Sequence, residues 1–245
     1  MRFFLLALLL ATPACFAAEE KKDIPRVTAV APLGLTAGEA STLRLRGLLL
    51  KDATEVRTIP EAAAKLKDKK DASLPNGLEA KEVGDTEVSI ELTPPADCTK
   101  LSVQIVTPKG ATEPHDIAIF PKEATVAEKE PNDGFRTAQM IDTAKPIVGK
   151  IGADKDVDVF RFEAKAGKPI TARLIAAGSG SLLDAVLSLY DAAGRSLGSA
   201  DDFDTQRDPI LTATPATDGP LCIVVSDAHD RGGSWHEYRL EISQP

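Results

Sequence analysis

Aromatic residues are scarce in this chain. Phe, Tyr and Trp make up 4% of its 245 residues, with one Trp and two Tyr. A densely packed core must therefore come mostly from Leu, Ile, Val and Ala. Positive charge is also in deficit, 29 Lys and Arg against 37 Asp and Glu, for a formal net charge of -8. That balance lacks the basic footprint of a nucleic-acid binder. No apolar run is long enough to span a bilayer. The sequence holds no H-E-x-x-H and no P-loop. Otherwise the composition, 43% hydrophobic and 27% charged, is that of a globular protein.

The N-terminus addresses the compartment. Arg2 precedes the apolar run Phe3 to Ala11, and small residues follow up to Ala17 and Ala18. This order reads as a secretory signal peptide over residues 1–18, leaving a chain that starts near Glu19. The expected location is secreted, periplasmic or at the cell surface. A lipoprotein anchored through Cys15 is the alternative, although Thr12-Pro13-Ala14 matches a lipobox poorly. Cys98 and Cys222 remain after cleavage. They fall in different units and read as unpaired strand residues, since a disulfide would need their Cα atoms within about 7 Å.

The rest divides in two. Over residues 24–121, Leu43 and Leu45 alternate with Arg44 and Arg46. Val88, Ile90 and Leu92 alternate with Glu87, Ser89 and Glu91, and Leu101, Val103 and Ile105 repeat the pattern. Period-two alternation predicts half-buried strands of an antiparallel sheet. The segment from Pro60 to Lys70 breaks it and reads as a solvated charged loop, with a short surface helix as the alternative. Residues 121–127 read as a linker. From Glu128 to residue 245, strands are predicted at 158–163, 170–176, 185–190, 209–213, 221–226 and 238–242, with turns at Gly167, Gly194, Gly219 and Gly232-Gly233. Short strands without a helical period predict an all-β chain of two sandwiches, the second of jelly-roll type. Residues 122–245 carry 20 acidic and 14 basic side chains, a net of -6, and residues 18–121 carry -3. Cations therefore suit the second unit better than anions.

Two resemblances sharpen this. Pro25 to Pro32, Gly38, Leu43 to Gly47, Ala53 to Val56 and Val103 to Gly110 together resemble an IPT/TIG-type immunoglobulin-like domain, which implies a small sandwich used as a spacer or binding module. Glu128-Lys129-Glu130-Pro131-Asn132-Asp133, Gly149-Lys150-Ile151, Asp156 to Phe162, Leu187 to Asp191, Asp208 to Leu211, Asp218 to Leu221 and Tyr238 to Ile242 resemble the bacterial pre-peptidase C-terminal domain. That resemblance implies a jelly-roll sandwich on a secreted protein. Such domains commonly trail secreted proteases, and in collagenases a relative binds collagen and calcium.

The carboxylates carry the chemistry. Glu128, Glu130, Asn132 and Asp133 offer hard oxygen ligands within six residues, the kind calcium prefers. Asp156 and Asp158 share strand parity with Phe160 and Phe162 and so point toward the buried side. A buried carboxylate needs a partner, and one cation would serve both segments. The resemblance assigns Glu128, Glu130, Asn132, Asp133 and Asp158 as Ca2+ ligands, with Asp156 beside them. The alternative is a solvated cap in which Asn132 and Asp133 make turn hydrogen bonds. An EF-hand over Asp154, Asp156 and Asp158 fails, because Val159 stands at the glycine position and Lys165 at the last glutamate. Asp201, Asp202, Asp204 and Asp208 read as a solvated loop. His229 and His236 read as surface histidines, and Asp227, His229 and Ser234 share one loop with nothing to form an oxyanion hole. Trp235 is the one expected exposed anchor. With only Tyr190 and Tyr238 as tyrosines, collagen affinity is not carried over. The reading is therefore a secreted, non-catalytic, calcium-binding module protein that meets an extracellular or cell-surface protein, without nucleic acid and without a membrane span. An accessory or remnant chain of a secreted peptidase system is the alternative, and a hydrolase using the 227–236 loop is a third.

Overall fold

The computed structural model describes residues 24–75 and 78–245. The signal segment and Cys15 lie outside the described residues. The described residues are all-β, apart from one short helix and a 3-10 turn. The first sandwich is built from β1 (Arg26–Ala31), β2 (Gly34–Thr36), β3 (Ser41–Leu48), β4 (Glu55–Ile59), β5 (Ala63–Asp71), α1 (Ala80–Val83), β6 (Thr86–Thr93), β7 (Lys100–Thr107), β8 (Gly110–Ala111) and β9 (His115–Phe120). One sheet runs β1-β3-β6-β5, and the other runs β2-β9-β7-β4 with β8 on β7. Leu43, Leu45, Val88, Ile90, Leu92, Leu101, Val103 and Ile105 fill the space between them, as the alternation predicts.

The second sandwich comprises β10 (Val126–Ala127), β11 (Gln139–Met140), β12 (Ile147–Lys150), β13 (Val157–Ala164), β14 (Ile170–Ile175), β15 (Ala185–Asp191), β16 (Ser196–Ala200), β17 (Ile210–Ala213), β18 (Gly219–Asp227) and β19 (Glu237–Ser243). Its two five-stranded sheets are ordered β10-β12-β19-β14-β17 and β11-β13-β18-β15-β16. All six expected strands are present within a residue or two. The four short strands β10, β11, β12 and β16 add to them. Cys98 and Cys222 are free. Among the described residues, no helix is long and apolar enough to cross a membrane.

The segment expected to be a loop is a strand. β5 pairs antiparallel with the whole of β6, with a bulge between Leu66 and Asp68. Its Lys residues answer the outward carboxylates of β6, Lys67 to Glu91 at 2.6 Å and Lys70 to Glu87 at 3.3 Å. Ala64 and Leu66 pack on the core. The lysines hid a period-two pattern, and a charged edge of this kind also discourages pairing with other chains. The return from β5 is held by Arg46, which is 2% exposed. Its guanidinium donates to the carbonyls of Ser73, Val83 and Gly84 at 2.7–3.3 Å.

The sandwiches touch through the start of β19. Trp235 packs with Ala29 and Ala31, 7% exposed, rather than standing out as an anchor. The Arg44 guanidinium lies 4.6 Å from the Trp235 ring centroid and donates to Ser234 O at 2.9 Å. Glu237 accepts the Leu33 amide at 3.1 Å, and Arg239 lies over the Phe120 ring. Alternation thus sends 235, 237 and 239 to the first sandwich, while Tyr238 and Leu240 enter the core of the second. Arg46→Met should strip the β5 return of its buried donors and lower stability by about 3 kcal/mol. Urea unfolding checks the value, and a change below about 0.5 kcal/mol would contradict this role for Arg46.

Candidate metal site at the head of the second sandwich

The site lies where the linker joins the second sandwich. β10 runs parallel to β12, and the Glu128 amide donates to Val148 O at 2.9 Å. The chain then crosses to the other sheet, where the Val159 amide donates to Asn132 O at 2.9 Å. Glu128 to Asp133 therefore closes the end of the sandwich over the start of β13. Asn132 and Asp158 are both fully buried. Asp158 enters the core with Phe160, as its parity predicts, whereas Asp156 lies just outside the strand and accepts the Gly152 amide at 2.6 Å.

The polar contacts are few and specific. Glu128 Oε1 accepts Asn132 Nδ2 at 3.0 Å, and Glu128 Oε2 accepts the Lys150 amide at 2.8 Å. Glu130 Oε2 accepts the Asn132 amide at 3.1 Å. The Tyr238 hydroxyl stands 2.6 Å from Asp158 Oδ2 and 3.0 Å from Glu128 Oε1. It has one hydrogen, so it serves one of the two carboxylates at a time. Asn132 Oδ1 and Asp158 Oδ1 are buried with no hydrogen-bond partner. Among the described residues no salt bridge reaches Glu128, Glu130, Asp133, Asp156 or Asp158.

The electrostatics follow. Burial pushes the Asp158 carboxyl up to about 9, and the neighbouring Glu128 adds to the shift. Burial likewise raises Glu130, helped by the charges of Asp156, Glu128 and Asp133. Tyr238, enclosed and facing two carboxylates, is raised well above its ordinary value.

One oxygen each from Glu128, Glu130 and Asp158 lies within 4.8 Å of the others, and the same holds for Glu130, Asp133 and Asp156. Two oxygens on one calcium ion stand at most about 5 Å apart. Five of the six residues named from sequence thus form two sets that share Glu130, and Asn132 joins the first through its hydrogen bond to Glu128. Glu128, Asn132 and Asp158 lie on the buried side, and Asp133 and Asp156 on the open side. The alternation of Tyr238 with Leu240 and Ile242 predicts a core position and gives no hint of where its hydroxyl ends. Gly149, opposite Tyr238 in the β12–β19 pairing, leaves room for that ring, and a Cβ there would overlap the phenol.

The other candidates have settled uses. Asp227 is spent on backbone amides, those of Asp184, His229 and Arg231 at 2.9–3.0 Å, so it does not orient a catalytic histidine. His236 is 3% exposed rather than on the surface, because the Gly232-Gly233 turn folds it back under the sandwich end. Asp208 accepts the amides of Ala176 and Gly178, while Asp201, Asp202 and Asp204 are exposed. Asp201 and Asp202 lie near Asp184, which already pairs with Arg207 and His229.

No protein-family model matches the chain. A probable subtilase-type serine protease of Deinococcus radiodurans is 36% identical over 103 residues. The match covers 41% of this chain and 14% of that protein, so the chain spans only a small part of its relative. Among solved structures, the pre-peptidase C-terminal domain of a Bacillus anthracis collagenase aligns with 47% of this chain and 100% of its own, at 14% identity and a TM-score of 0.35. PliG of Aeromonas hydrophila, a periplasmic inhibitor of g-type lysozyme, aligns with 49% of this chain and 96% of its own, at 16% identity and a TM-score of 0.30. SGBP-B from a mixed-linkage glucan utilization locus of Bacteroides ovatus aligns with 90% of this chain and 75% of its own, at 9% identity and a TM-score of 0.30.

Gly149→Ala is expected to push the Tyr238 hydroxyl from between Glu128 and Asp158. The cost is about 1–3 kcal/mol, as for other overpacked core sites. Thermal melting checks it, and an unchanged midpoint would show that the phenol is not held there.

Proposed function

We propose that the protein is an exported, non-enzymatic module protein whose second sandwich binds Ca2+ through Glu128, Glu130, Asn132 and Asp158, with Asp133 and Asp156 at the outer edge of the same site. Two buried oxygens without partners, Asn132 Oδ1 and Asp158 Oδ1, carry the reading. A buried acceptor left without a donor costs about 1–3 kcal/mol, and more where it carries charge. An all-oxygen donor set of carboxylates and one amide suits calcium, whereas zinc prefers nitrogen and sulfur. The ion would neutralise the converging carboxylates and tie the linker exit to the start of β13.

The first sandwich, read as an IPT/TIG-like module, then serves as a spacer or binding face, and the second, read as a pre-peptidase C-terminal-like module, as the calcium-stabilised part. The partner in this reading is an extracellular or cell-surface protein. The sequence relative is a serine protease matched over a fraction of its length, which supports the second reading, an accessory chain of a secreted peptidase. Co-purification of such a peptidase from the producing cells would favour that second reading.

A melt with calcium and with EDTA tests the site. Calcium at about 100 times its Kd should add roughly 2.7 kcal/mol of stability. Asp158→Asn should abolish the response, and its melt in EDTA should equal or exceed that of the unaltered protein, because Asn is neutral without the proton uptake that burial demands of the Asp158 carboxyl. A variant that still responds to calcium would contradict the assignment.

The pH dependence has a defined sign. The folded-state pKa of Asp158 is raised, so its protonated form is bound more tightly by the folded chain. In EDTA the stability contributed by this group is complete below the ordinary carboxylate value near 3.9 and is lost as pH rises toward about 9. Calcium should therefore stabilise more strongly at pH 8 than at pH 5. Equal effects at both values would count against Asp158 as a ligand.

A further inference from the structure

We propose that a cavity at the junction of the two sandwiches docks the C-terminal end of another polypeptide, with the free carboxylate on Arg239 and an apolar last side chain beside Phe120. The cavity measures about 260 Å³ and is lined by Leu33, Gly34 and Thr36 at β2, Phe120 of β9, Val148 of β12 and Arg239 of β19. None of these side chains belongs to the carboxylate cluster around Asp158. Pockets that enclose a whole small molecule run to roughly 300–1,000 Å³. This one is smaller and suits a single side chain entering from a longer ligand.

Arg239 sets the charge of that ligand. Its guanidinium carbon lies 5.0 Å from the centroid of the Phe120 ring. Its Nε donates to Glu241 Oε1 at 3.0 Å, and the two terminal nitrogens have no protein acceptor among the described residues. The side chain is 17% exposed, so water serves its charge poorly. The aromatic ring and the Nε bond hold the fork in place, so little freedom is lost when a ligand arrives. An arginine fork matches a carboxylate through two parallel N–H···O bonds. Glu241 serves Nε alone, and Glu123 stands exposed at the rim. A ligand carboxylate is therefore accepted at the Arg239 end and repelled at the rim.

The backbone favours a peptide over a small acid. β2 is an edge strand and runs parallel to β9. The Ala37 amide donates to Phe120 O at 2.8 Å, which sets the phase of the pairing. Leu35 and Ala37 face β9, and alternation turns the Gly34 amide and carbonyl and the Thr36 amide to the open side. The Thr36 carbonyl already accepts the Glu39 amide at 3.3 Å. An extended segment can pair with such an edge, its main chain giving affinity and a pocket choosing the side chain. Gly34 brings the pocket to that edge, because a Cβ there would stand 2.5 Å from the Phe120 ring. The ring thus rests against bare β2 backbone, within reach of a side chain of the added segment.

The experiment follows the amide resonances of Gly34 and Thr36 in the isotope-labelled chain. The probes are acetylated pentapeptides ending in Ala, Val, Leu or Phe, each as the free acid and as the C-terminal amide, with octanoate as a small apolar acid. The expected result is a saturable shift of both resonances with free acids ending in Val, Leu or Phe. Binding should weaken about tenfold or more for the amides and for Arg239→Gln, the loss of a charge-assisted pair. Arg173→Gln, on β14 outside the cavity, should bind as the unaltered chain does. The absence of a saturable shift with every free acid would overturn the proposal, as would equal affinity for acid and amide or equal weakening by Arg173→Gln. Octanoate binding as tightly as the peptides, with the same two resonances shifted, would also overturn it and make the cavity a small-acid site. Should Arg239→Gln not fold, the comparison of acid with amide on the unaltered chain decides the matter.

Discussion

The second sandwich is organised around one awkward fact: a carboxylate, Asp158, lies fully buried at its end with no basic side chain paired to it. A lone charge in such a place is expensive, and proteins resolve the cost by protonation or by a counter-charge. Every local feature follows from that constraint. The chain returns from the linker so that Glu128 and Asn132 close over Asp158. Tyr238 lends a single hydrogen that two carboxylates share, and Gly149 stays small to let that phenol in. Protonation satisfies the group only in part, because Asp158 Oδ1 and Asn132 Oδ1 still face no donor. In the proposed reading, a hard cation would answer both oxygens and the net charge together.

The same strand ties this site to the rest of the molecule. β19 sends alternate side chains to opposite sides, so Tyr238 reaches the carboxylates while Trp235, Glu237 and Arg239 reach the first sandwich. The linker enters at Glu128, itself one of the clustered groups. Anything that orders Glu128 and Tyr238 therefore also orders two of the routes by which the sandwiches are joined.

Much of this was legible in the sequence. Alternation gave the strands with an apolar face, such as Leu43 to Leu45 and Val88 to Leu92, because period two is written directly in the residues that pack. It also placed Asp158 inside, through its parity with Phe160. Strand β5 was hidden because its outward residues are lysines whose partners, Glu87 and Glu91, are distant in sequence. Trp235 and His236 were placed on the surface because a Gly-Gly turn carries no record of what packs on it. The role of Tyr238 depends on the β12–β19 register, which local sequence does not encode. The division of the carboxylates into inner and outer sets likewise depends on where β13 begins, between Asp156 and Val157.

The measurement that bears most directly on the central claim is a crystal structure of the chain grown with calcium. The account predicts one strong peak bonded to Asn132 Oδ1 and Asp158 Oδ1 at about 2.3–2.6 Å, with Glu128 and Glu130 completing the shell. Finding those two oxygens hydrogen-bonded to water or to a protein donor, with no cation between them, would contradict it.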